Sequence, residues 1–519
     1  MATMLEGLQL SSRDLGRWQQ AQQDLLKGRP GHAAEAYRGL LKQFPDQAVF
    51  WFELGFAEGK QLNFAAATEA CLRAVELSPN NVSLLILIGQ QFHWLRQLDH
   101  ARDCFEKAVA ADPASVHAQL SLADWYERER RLDDAWQCVE AARKQRPNDP
   151  QVLCVKALLL HRLGKDTDAE TVLRDLIKRG PHDANVDYTS RQQLATVLDH
   201  AGQYAEAIKW VDEAKAVLRK SANVAKMQQE YDLADKRRRE LLAALKPETI
   251  KRWRQEGPAT PLPYKLAFLG GHPRSGTTLL EQILGAHPGI EAFDEPMAFV
   301  DEVSEKLAPL VTATPLTAKK LDALSPAHRA DFQRRYFKSL LREGSPEPVA
   351  ELLLDKNPSP TASLPIWLRL FPDLKVVIAL RDPRDVIVSC YFQNLRLNAT
   401  NSNFLSLDRA VKHYADLMDV WLRLRELGGF DWIESRYEDV VASLEVEGCK
   451  VTQFLGLEWH DSQASFYEQT RKKFVFSPTY SDVTQPVYQR ALGRWKHYEA
   501  ELAPLQEKLA PYCRAFGYA

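Results

Sequence analysis

The hydrophobic pattern divides the chain of 519 residues into two parts that follow different rules. In the first part, small and apolar residues recur with a period of 34 residues, which is the period of a repeated helix–turn–helix unit. In the second part, short apolar runs alternate with segments of helical spacing, as is typical of a parallel α/β sheet. The pattern therefore predicts an all-α helical array followed by an α/β domain.

Prolines mark the repeat most clearly. Five of them lie 34 residues apart, at Pro45, Pro79, Pro113, Pro147 and Pro181. Small residues keep the same register, 24 residues before each proline at Ala21, Gly55, Gly89, Ala123 and Ala157, and 12 residues before it at Ala33, Ala67, Ala101, Ala135 and Ala169. Small side chains at these places let the two helices of one unit approach closely. A sixth unit, without a terminal proline, places Ala195, Ala207 and Ala214 at the matching positions.

In period and register, this part of the chain resembles the tetratricopeptide repeat family. The resemblance implies a superhelix of about six helix pairs over residues 14–221, with a concave protein-binding face. Capture of a protein or peptide is one interpretation of such an array, and a scaffold or homo-oligomerisation surface is the other. The sequence does not separate them. A helical linker is predicted over residues 222–263. Because Gly257–Pro263 is rich in helix breakers, it marks the boundary to a second domain, which is predicted over residues 264–519.

The second domain opens on a glycine loop between a predicted strand and a predicted helix. Counted from Gly271, the loop reads G-x-x-x-x-G-T-T, so Thr277 stands where a phosphate-binding loop of an ATPase carries lysine. Backbone N–H groups and the positive end of the helix dipole would point at an anion, and the hydroxyls of Ser275 and Thr278 would add donors. The loop predicts a phosphate site without the ATPase lysine, and a merely structural turn is the alternative.

A second cluster follows the predicted strand Lys375–Leu380. Arg381 stands at the tip of this strand, Pro383 can begin a helix, and Ser389 lies two turns into that helix. Further strands are predicted at Leu266–Gly270, Glu351–Leu354 and Trp432–Ser435. Since ligands of parallel sheets bind at the carboxyl ends of the strands, Arg381 and Ser389 are predicted to clamp one phosphate there.

The two clusters together resemble the sulfotransferase family, whose P-loop-like, three-layer α/β domain has a central parallel sheet and uses 3′-phosphoadenylyl sulfate as donor. His272–Thr278 resembles the loop for the 5′-phosphosulfate, and Arg381 with Ser389 resembles the motif for the 3′-phosphate. The resemblance covers about residues 265–500. It implies donor contacts from Arg274, Ser275, Gly276, Thr277 and Thr278. Arg274 stands where many cytosolic small-molecule members carry lysine, which favours the tyrosylprotein-type branch.

The same resemblance implies roles for residues outside the two clusters. Glu295 is the expected catalytic base, with Asp294 and Glu291 as alternatives, and Lys356 joins Arg274 as a catalytic cation facing the 5′-phosphate. Tyr437 is expected near the nucleotide. Arg494 is the expected phosphate-contacting cation of a C-terminal loop, Thr479–Trp495, which departs from the family pattern because arginine replaces lysine and Gln485 precedes Pro486. Without the resemblance, Lys356 would read as a surface lysine and Tyr437 as a core aromatic.

Composition and charge exclude several partners. Lysine and arginine total 67 against 69 acidic residues, and the short basic runs Lys236–Arg239 and Arg471–Lys473 give no reason to expect nucleic acid or an anionic membrane. Seven cysteines without a CxxC pair, no leader-like segment in Met1–Gly7 and no long apolar run predict a cytoplasmic protein. No cluster has the spacing of metal ligands, so no metal is expected.

The predicted function is therefore a sulfotransferase that transfers a sulfuryl group from 3′-phosphoadenylyl sulfate to an acceptor hydroxyl. A tyrosine of a protein or peptide, held by the repeats, is a candidate acceptor. Two alternatives stay open: a tetratricopeptide scaffold with a degenerate nucleotide domain, and a P-loop kinase, against which Thr277 argues because a kinase of this type would need the lysine.

Overall fold

A computed structural model describes residues 10–220, 223–262, 264–308, 315–341, 350–471, 474, 482–487 and 489–518. The chain forms two compact units, Met1–Ala169 with Leu341–Pro346, and Glu170–Leu340 with Glu347–Ala519. The domain boundaries predicted at residues 221 and 263 stay predictions. Among the described residues, no helix combines the length and the apolar character that crossing a bilayer requires.

Twelve helices run in pairs through the first part of the chain, as the 34-residue period predicts. They are α1 Ser12–Leu26, α2 Pro30–Leu41, α3 Ala48–Lys60, α4 Phe64–Leu77, α5 Val82–Trp94, α6 Leu98–Ala111, α7 Val116–Arg128, α8 Leu132–Gln145, α9 Pro150–Arg162, α10 Asp166–Arg179, α11 Ala184–His200 and α12 Tyr204–Arg219. The alanines of the repeat pack between the helices, since all five that precede a proline by 12 residues are 0% exposed, from Ala33 to Ala169.

Small residues are needed where the two helices of a pair meet. A Cβ atom added to Gly55 in α3 would lie 2.8 Å from the Cys71 sulfur and 3.0 Å from the Ala67 carbonyl oxygen, both in α4. Asparagine, serine or aspartate side chains cap several of the first helices of these pairs, as Asp149 does for α9. The repeat prediction is confirmed down to the residues that set the helix spacing.

Fourteen further α-helices lie in the described residues of the second part of the chain. They are α13 Val224–Ala244, α14 Pro247–Glu256, α15 Thr277–Gly285, α16 Glu305–Leu307, α17 Ala318–Asp322, α18 Pro326–Leu341, α19 Leu364–Leu370, α20 Pro383–Tyr391, α21 Leu407–Leu427, α22 Tyr437–Ala442, α23 Leu444–Leu455, α24 Phe466–Thr470, α25 Glu499–Leu502 and α26 Gln506–Phe516. A π-helical turn covers Val300–Ser304, and short 3₁₀ turns lie at Ser359–Ser363, Asn401–Leu405, Asp461–Gln463, Asp482–Thr484, Arg494–Tyr498 and Ala503–Leu505.

Within the residues that the structure describes, five parallel strands form the predicted central sheet. They are β1 Lys265–Gly271, β2 Ile290–Asp294, β3 Leu352–Lys356, β4 Lys375–Leu380 and β5 Asp431–Arg436, in the spatial order β2-β3-β1-β4-β5. The edge strand β2 is absent from the prediction, because its five residues are mostly half-buried and follow directly on the breakers Gly285 and Pro288. The chain crosses from one side of β1 to the other between β3 and β4, which is the kind of switch point where ligands bind.

Successive residues of the strands point to opposite faces of the sheet. Leu269 and Val377 are paired and pack against Leu280 of α15 and Val451 of α23 on one face. Phe268 points to the opposite face, where its ring lies 5.2 Å from that of Trp367 in α19. The domain therefore has helices on both faces of its sheet, in three layers.

An aromatic cluster anchors the second face. The ring of Trp367 is stacked on Phe299 at 3.7 Å between centroids and meets Tyr336 of α18 edge-on at 5.3 Å. Trp367 is completely buried. This cluster ties α18, α19 and the segment after β2 to the sheet.

We expect Trp367→Ala to lower the free energy of unfolding by about 3–5 kcal/mol, because it removes a buried ring and leaves a cavity among packed aromatics. Val446→Ala, at a side chain that is 64% exposed in α23, is the control and should change it by less than about 0.5 kcal/mol. Urea denaturation followed by circular dichroism measures both. Equal effects of the two variants would contradict the role of this cluster.

Candidate functional site

The glycine loop between β1 and α15 is held in a narrow space. Gly276, which precedes α15, has φ of 86°, and a Cβ atom there would lie 2.6 Å from Cδ2 of Tyr437. Gly271 has φ of 127°, and its Cβ would lie 2.3 Å from the carbonyl oxygen of Ala379 in β4. Both glycines are therefore required, for backbone conformation and for space.

Polar contacts fix the start of this loop. The Thr361 hydroxyl accepts a hydrogen bond from the Gly271 N–H at 2.9 Å and donates to the Gly271 carbonyl at 3.1 Å. His272 is buried, with Nε2 2.8 Å from Nδ1 of His413 and Nδ1 2.8 Å from the Pro273 carbonyl. Burial lowers the pKa of His272 to about 4, so its ring is neutral and structural.

Arg274 lies at the centre of the predicted donor site. Its backbone has φ of 74°, a left-handed conformation that costs a non-glycine residue about 1–2 kcal/mol. The Arg274 Nε donates to the Ser389 hydroxyl at 3.0 Å, and the Arg274 carbonyl accepts from the Arg381 guanidinium at 3.3 Å. The structure thus brings together three predicted residues from two segments more than a hundred residues apart in sequence.

Tyr437 and the first turn of α15 complete this cluster. The Arg381 guanidinium lies over the ring of Tyr437, 5.1 Å from its centroid, and the same ring packs on Gly276. Ser275, Thr277 and Thr278 are buried beside the positive end of α15. Guanidinium groups, hydroxyls and a helix N-terminus in one place are the chemistry of an anion site.

A second group lies at the ends of β2 and β3. Lys356 is 0% exposed, forms an ion pair with Asp294, its register partner in β2, and has its Nζ 3.4 Å from Oε1 of Glu295. Burial lowers the pKa of Lys356, but the carboxylates of Asp294, Glu295 and Glu281 outweigh it and raise this pKa above its ordinary value. Lys356 is thus a buried ammonium at the strand ends, and the surface alternative is wrong.

Glu295 is more exposed to solvent than its neighbour Asp294 and has a different backbone conformation from a strand residue. Its side chain is 37% exposed while that of Asp294 is 9% exposed, and its backbone has φ of 48°. The Glu295 N–H continues the β2–β3 ladder by donating to the Lys356 carbonyl at 2.8 Å. The side chain of Asn357, which follows Lys356, donates to the carbonyl of Pro296, which follows Glu295, at 3.1 Å. These bonds hold a solvent-facing carboxylate beside a buried cation.

Arg494 lies against α11 in this structure. It forms an ion pair with Asp199, Nη2 to Oδ2 3.0 Å, and its guanidinium lies 4.6 Å above the ring centroid of Phe392. Residues 479–481 and 488 of the predicted C-terminal loop, like residues 472–473 of a basic run and the segment 1–9, lie outside the described residues. The binding role of Arg494, like those of the other predicted site residues, stays a prediction.

Sequence reasoning missed Asp385, in the first turn of α20. Its carboxylate accepts from the N–H groups of Gly493 and Trp495, each at 2.8 Å, and lies 3.8 Å from Arg381. Burial raises its pKa. The signal for this residue was a carboxylate four places after Arg381 in an apolar segment, but its partners are more than a hundred residues away.

Known proteins match both parts of the chain. Residues 267–461 match the Sulfotransferase family, and residues 19–82, 95–150 and 126–184 match the Tetratricopeptide repeat family. An uncharacterized protein of Aquifex aeolicus is 26% identical over 454 residues, 85% of this chain and 52% of that protein, so the chain spans about half the length of this relative.

Two further matches cover one part of the chain each. Protein-tyrosine sulfotransferase 2 of Gallus gallus is 25% identical over 269 residues, which are 49% of this chain and 69% of that protein. The crystal structure of a tetratricopeptide repeat protein from Parabacteroides merdae is similar at 14% identity, with a TM-score of 0.34, over 42% of this chain and 88% of that one.

Asp355, next to Lys356 in β3, points to the opposite face of the sheet. Its carboxyl group accepts from the Tyr336 hydroxyl at 2.9 Å, and burial raises its pKa from the ordinary 3.8 to about 7. The folded protein therefore binds this proton more tightly than the unfolded chain does. Ionisation of Asp355 consequently destabilises the fold as pH rises through this range.

Asp355→Asn removes this titration, so the free energy of unfolding should rise for the variant relative to wild type between about pH 4 and about pH 8. Urea denaturation at several pH values measures the difference. Asp408→Asn, at a carboxylate that is 71% exposed, controls for the loss of one charge. A difference between Asp355→Asn and wild type that stays constant with pH would show that Asp355 does not titrate in this range.

Proposed function

We propose that this chain, which carries tetratricopeptide repeats followed by a C-terminal sulfotransferase domain, transfers a sulfuryl group from 3′-phosphoadenylyl sulfate to an acceptor hydroxyl. The observation that supports this most directly is the contact of Arg381 and Ser389 with Arg274. It joins the loop expected at the 5′-phosphosulfate to the pair expected at the 3′-phosphate.

The residues present fit a donor with two separate anionic groups. The loop offers Arg274, the first turn of α15 and buried hydroxyls to a 5′-phosphosulfate. Arg381, on the β4–α20 connection, and Ser389, in α20, lie beside that loop and would take the 3′-phosphate. Thr277 stands at the start of α15 in place of a lysine for β and γ phosphates, which is consistent with this donor.

In the proposed reaction, the acceptor oxygen forms a bond to sulfur while the bond between sulfur and the bridging phosphate oxygen breaks. Adenosine 3′,5′-bisphosphate leaves and the acceptor proton goes to a base. Because most of the work in such an in-line transfer is positioning and charge stabilisation, the side chains of Arg274 and Lys356 would stabilise the charge on the leaving group.

Glu295 is the proposed base. Its carboxylate is more exposed than that of Asp294, so an acceptor hydroxyl can reach it, and Lys356 lies 3.4 Å from it. Asp294 has its carboxylate in the ion pair with Lys356. Glu295 would take the acceptor proton while Asp294 holds the lysine in place.

The proposed acceptor is a tyrosine of a protein or peptide. Several relatives are named protein-tyrosine sulfotransferases, and the repeats provide helix pairs of a type that binds proteins. Capture of the acceptor by the repeats and a homo-oligomeric scaffold remain the two proposals for the first part of the chain. The seven cysteines form no CxxC pair in the sequence, in keeping with the proposed cytoplasmic location.

The donor assignment predicts how Ser389→Ala changes nucleotide binding. We expect its affinity for adenosine 3′,5′-bisphosphate to fall by about 2- to 10-fold, as for the loss of one hydrogen bond, and its affinity for adenosine 5′-phosphate to fall less. Isothermal titration calorimetry measures both ligands on wild type and variant. Equal losses for the two ligands, or tighter binding of Mg²⁺-ATP than of the bisphosphate by wild type, would overturn the assignment.

The base assignment predicts the effect of Glu295→Gln. We expect kcat to fall by about 10²- to 10⁴-fold because the acceptor proton loses its base, while bisphosphate binding stays close to that of wild type. Transfer of radiolabelled sulfate to tyrosine peptides, glycans and small alcohols measures activity and tests the acceptor class.

Two variants serve as controls for this experiment. Glu291→Gln makes the same change three residues before the end of β2 and should keep activity. Asp294→Asn tests the alternative base. Full activity in Glu295→Gln together with loss in Asp294→Asn would transfer the role to Asp294, and a wild type that binds the bisphosphate but labels no acceptor would contradict the enzyme.

A further inference from the structure

The last helix pair of the repeats, α11 with α12, contacts the segment Arg494–Tyr498. Asp199, near the end of α11, accepts the Arg494 guanidinium with Nε 3.3 Å from Oδ1 and Nη2 3.0 Å from Oδ2, and also accepts from the Tyr498 hydroxyl. The ring of His497 is stacked on Tyr204 of α12, with 3.9 Å between centroids and an interplanar angle of 12°. One carboxylate and one ring therefore hold three side chains of this segment.

The backbone of residues 491–495, at the start of this stretch, is held by residues of the proposed donor site and its neighbour Asp385. Arg381 donates to the Ala491 carbonyl, and Asp385 accepts from the N–H groups of Gly493 and Trp495. Side chains of Arg494–Tyr498 thus contact the helix pair, while the backbone of residues 491–495 contacts Arg381, which follows β4, and Asp385 in the first turn of α20. Residues 491–498 are a bridge between the two.

A second set of contacts joins the helix pair to the end of α20. Gln192 of α11 donates to the Phe392 carbonyl at 2.6 Å, and Lys215 of α12 donates to the Gln393 carbonyl at 2.8 Å. The Tyr188 hydroxyl accepts from the Leu395 N–H at 2.6 Å. The carbonyls of Phe392 and Gln393 follow the last turn of α20, where a helix leaves carbonyl groups unpaired, and Gln192 and Lys215 satisfy them. Burial lowers the pKa of Lys215 to about 7, so its amine acts here as a hydrogen-bond donor.

Each set of contacts holds an element that carries a residue bound to Arg274. The bridge leads to Arg381, which donates to the Arg274 carbonyl, and α20 carries Ser389, which accepts from the Arg274 side chain. Arg274 has a left-handed backbone that is unfavourable unless its surroundings hold it. The position of Arg274 therefore depends on elements that the helix pair supports.

We propose that the helix pair α11–α12 is a positioning element of the donor site, and that Asp199 is a positioning residue that acts on the glycine loop through Arg494 and the bridge. Its catalytic meaning rests on the proposed function. The last repeat then helps to hold the donor site in shape. A conformational change in the repeats would therefore alter donor binding through these contacts.

Asp199→Asn tests this connection in the chain of 519 residues, because it keeps the size of the side chain and removes the charge that holds Arg494. Hydrogen–deuterium exchange should become faster in peptides covering residues 272–280 and 491–498. Glu206→Gln is the matched control, since it breaks an ion pair of α12 with Arg174 that lies apart from the bridge. Asp199→Glu keeps the carboxylate and should restore slower exchange.

Binding gives the second readout. Asp199→Asn should weaken binding of adenosine 3′,5′-bisphosphate by about 2- to 30-fold, as expected for coupling through a contact network, and Glu206→Gln should bind as wild type does. The thermal midpoint of Asp199→Asn should stay close to that of the control, which separates positioning from unfolding. A steady-state assay should show a higher KM for the donor with little change for the acceptor.

Three outcomes are distinguishable. Faster exchange in both peptides with weaker bisphosphate binding supports the proposal. Exchange in residues 272–280 that is unchanged in Asp199→Asn, or changed equally in Glu206→Gln, overturns it. A wild-type protein that does not bind the bisphosphate contradicts the proposed function, while the exchange measurement still decides whether Asp199 positions the glycine loop.

Discussion

The strained backbone of Arg274 is the constraint on which the site depends. An arginine at φ of 74° stays there only if its neighbours oppose relaxation. They do so at three points: Ser389 binds its side chain, Arg381 binds its carbonyl, and Gly276, two residues further on, packs without a Cβ under Tyr437. Ser389 and Arg381 belong to the segment that follows β4, and Tyr437 follows β5, so the loop has its shape only once the sheet has formed.

Charge burial sets a second constraint beside the first. Taking the ammonium of Lys356 out of water is costly, and the carboxylates that lie near it compensate for this. Because Asp294 is the register partner of Lys356, the pairing of β2 with β3 places one carboxylate in contact. The turn that follows, with Glu295 at φ of 48°, then leaves the second carboxylate partly exposed. One ion-pair group thus serves both the fold and the proposed chemistry.

The helix pair α11–α12 belongs to the repeats by its sequence and to the second compact unit by its contacts. Its side chains bind the end of α20 and the segment Arg494–Tyr498. Arg381 and Asp385 bind backbone groups of Ala491, Gly493 and Trp495 at the start of the same stretch. A repeat normally buries its apolar faces against neighbouring repeats. Here the last repeat instead satisfies polar groups of the α/β domain, and this gives the end of the array a structural role in the site.

By itself, the sequence determined the features that depend on local spacing. The 34-residue period located the helix pairs and their buried alanines, and the glycine loop and the Arg381–Ser389 pair located the strand ends at which the site lies. Tertiary structure alone decided the existence of β2, the burial of Lys356, the partners of Asp385 and the pairing of Arg494 with Asp199. These depend on contacts between residues as many as 295 positions apart, and local residue patterns carry no information about which distant partner a charge will meet.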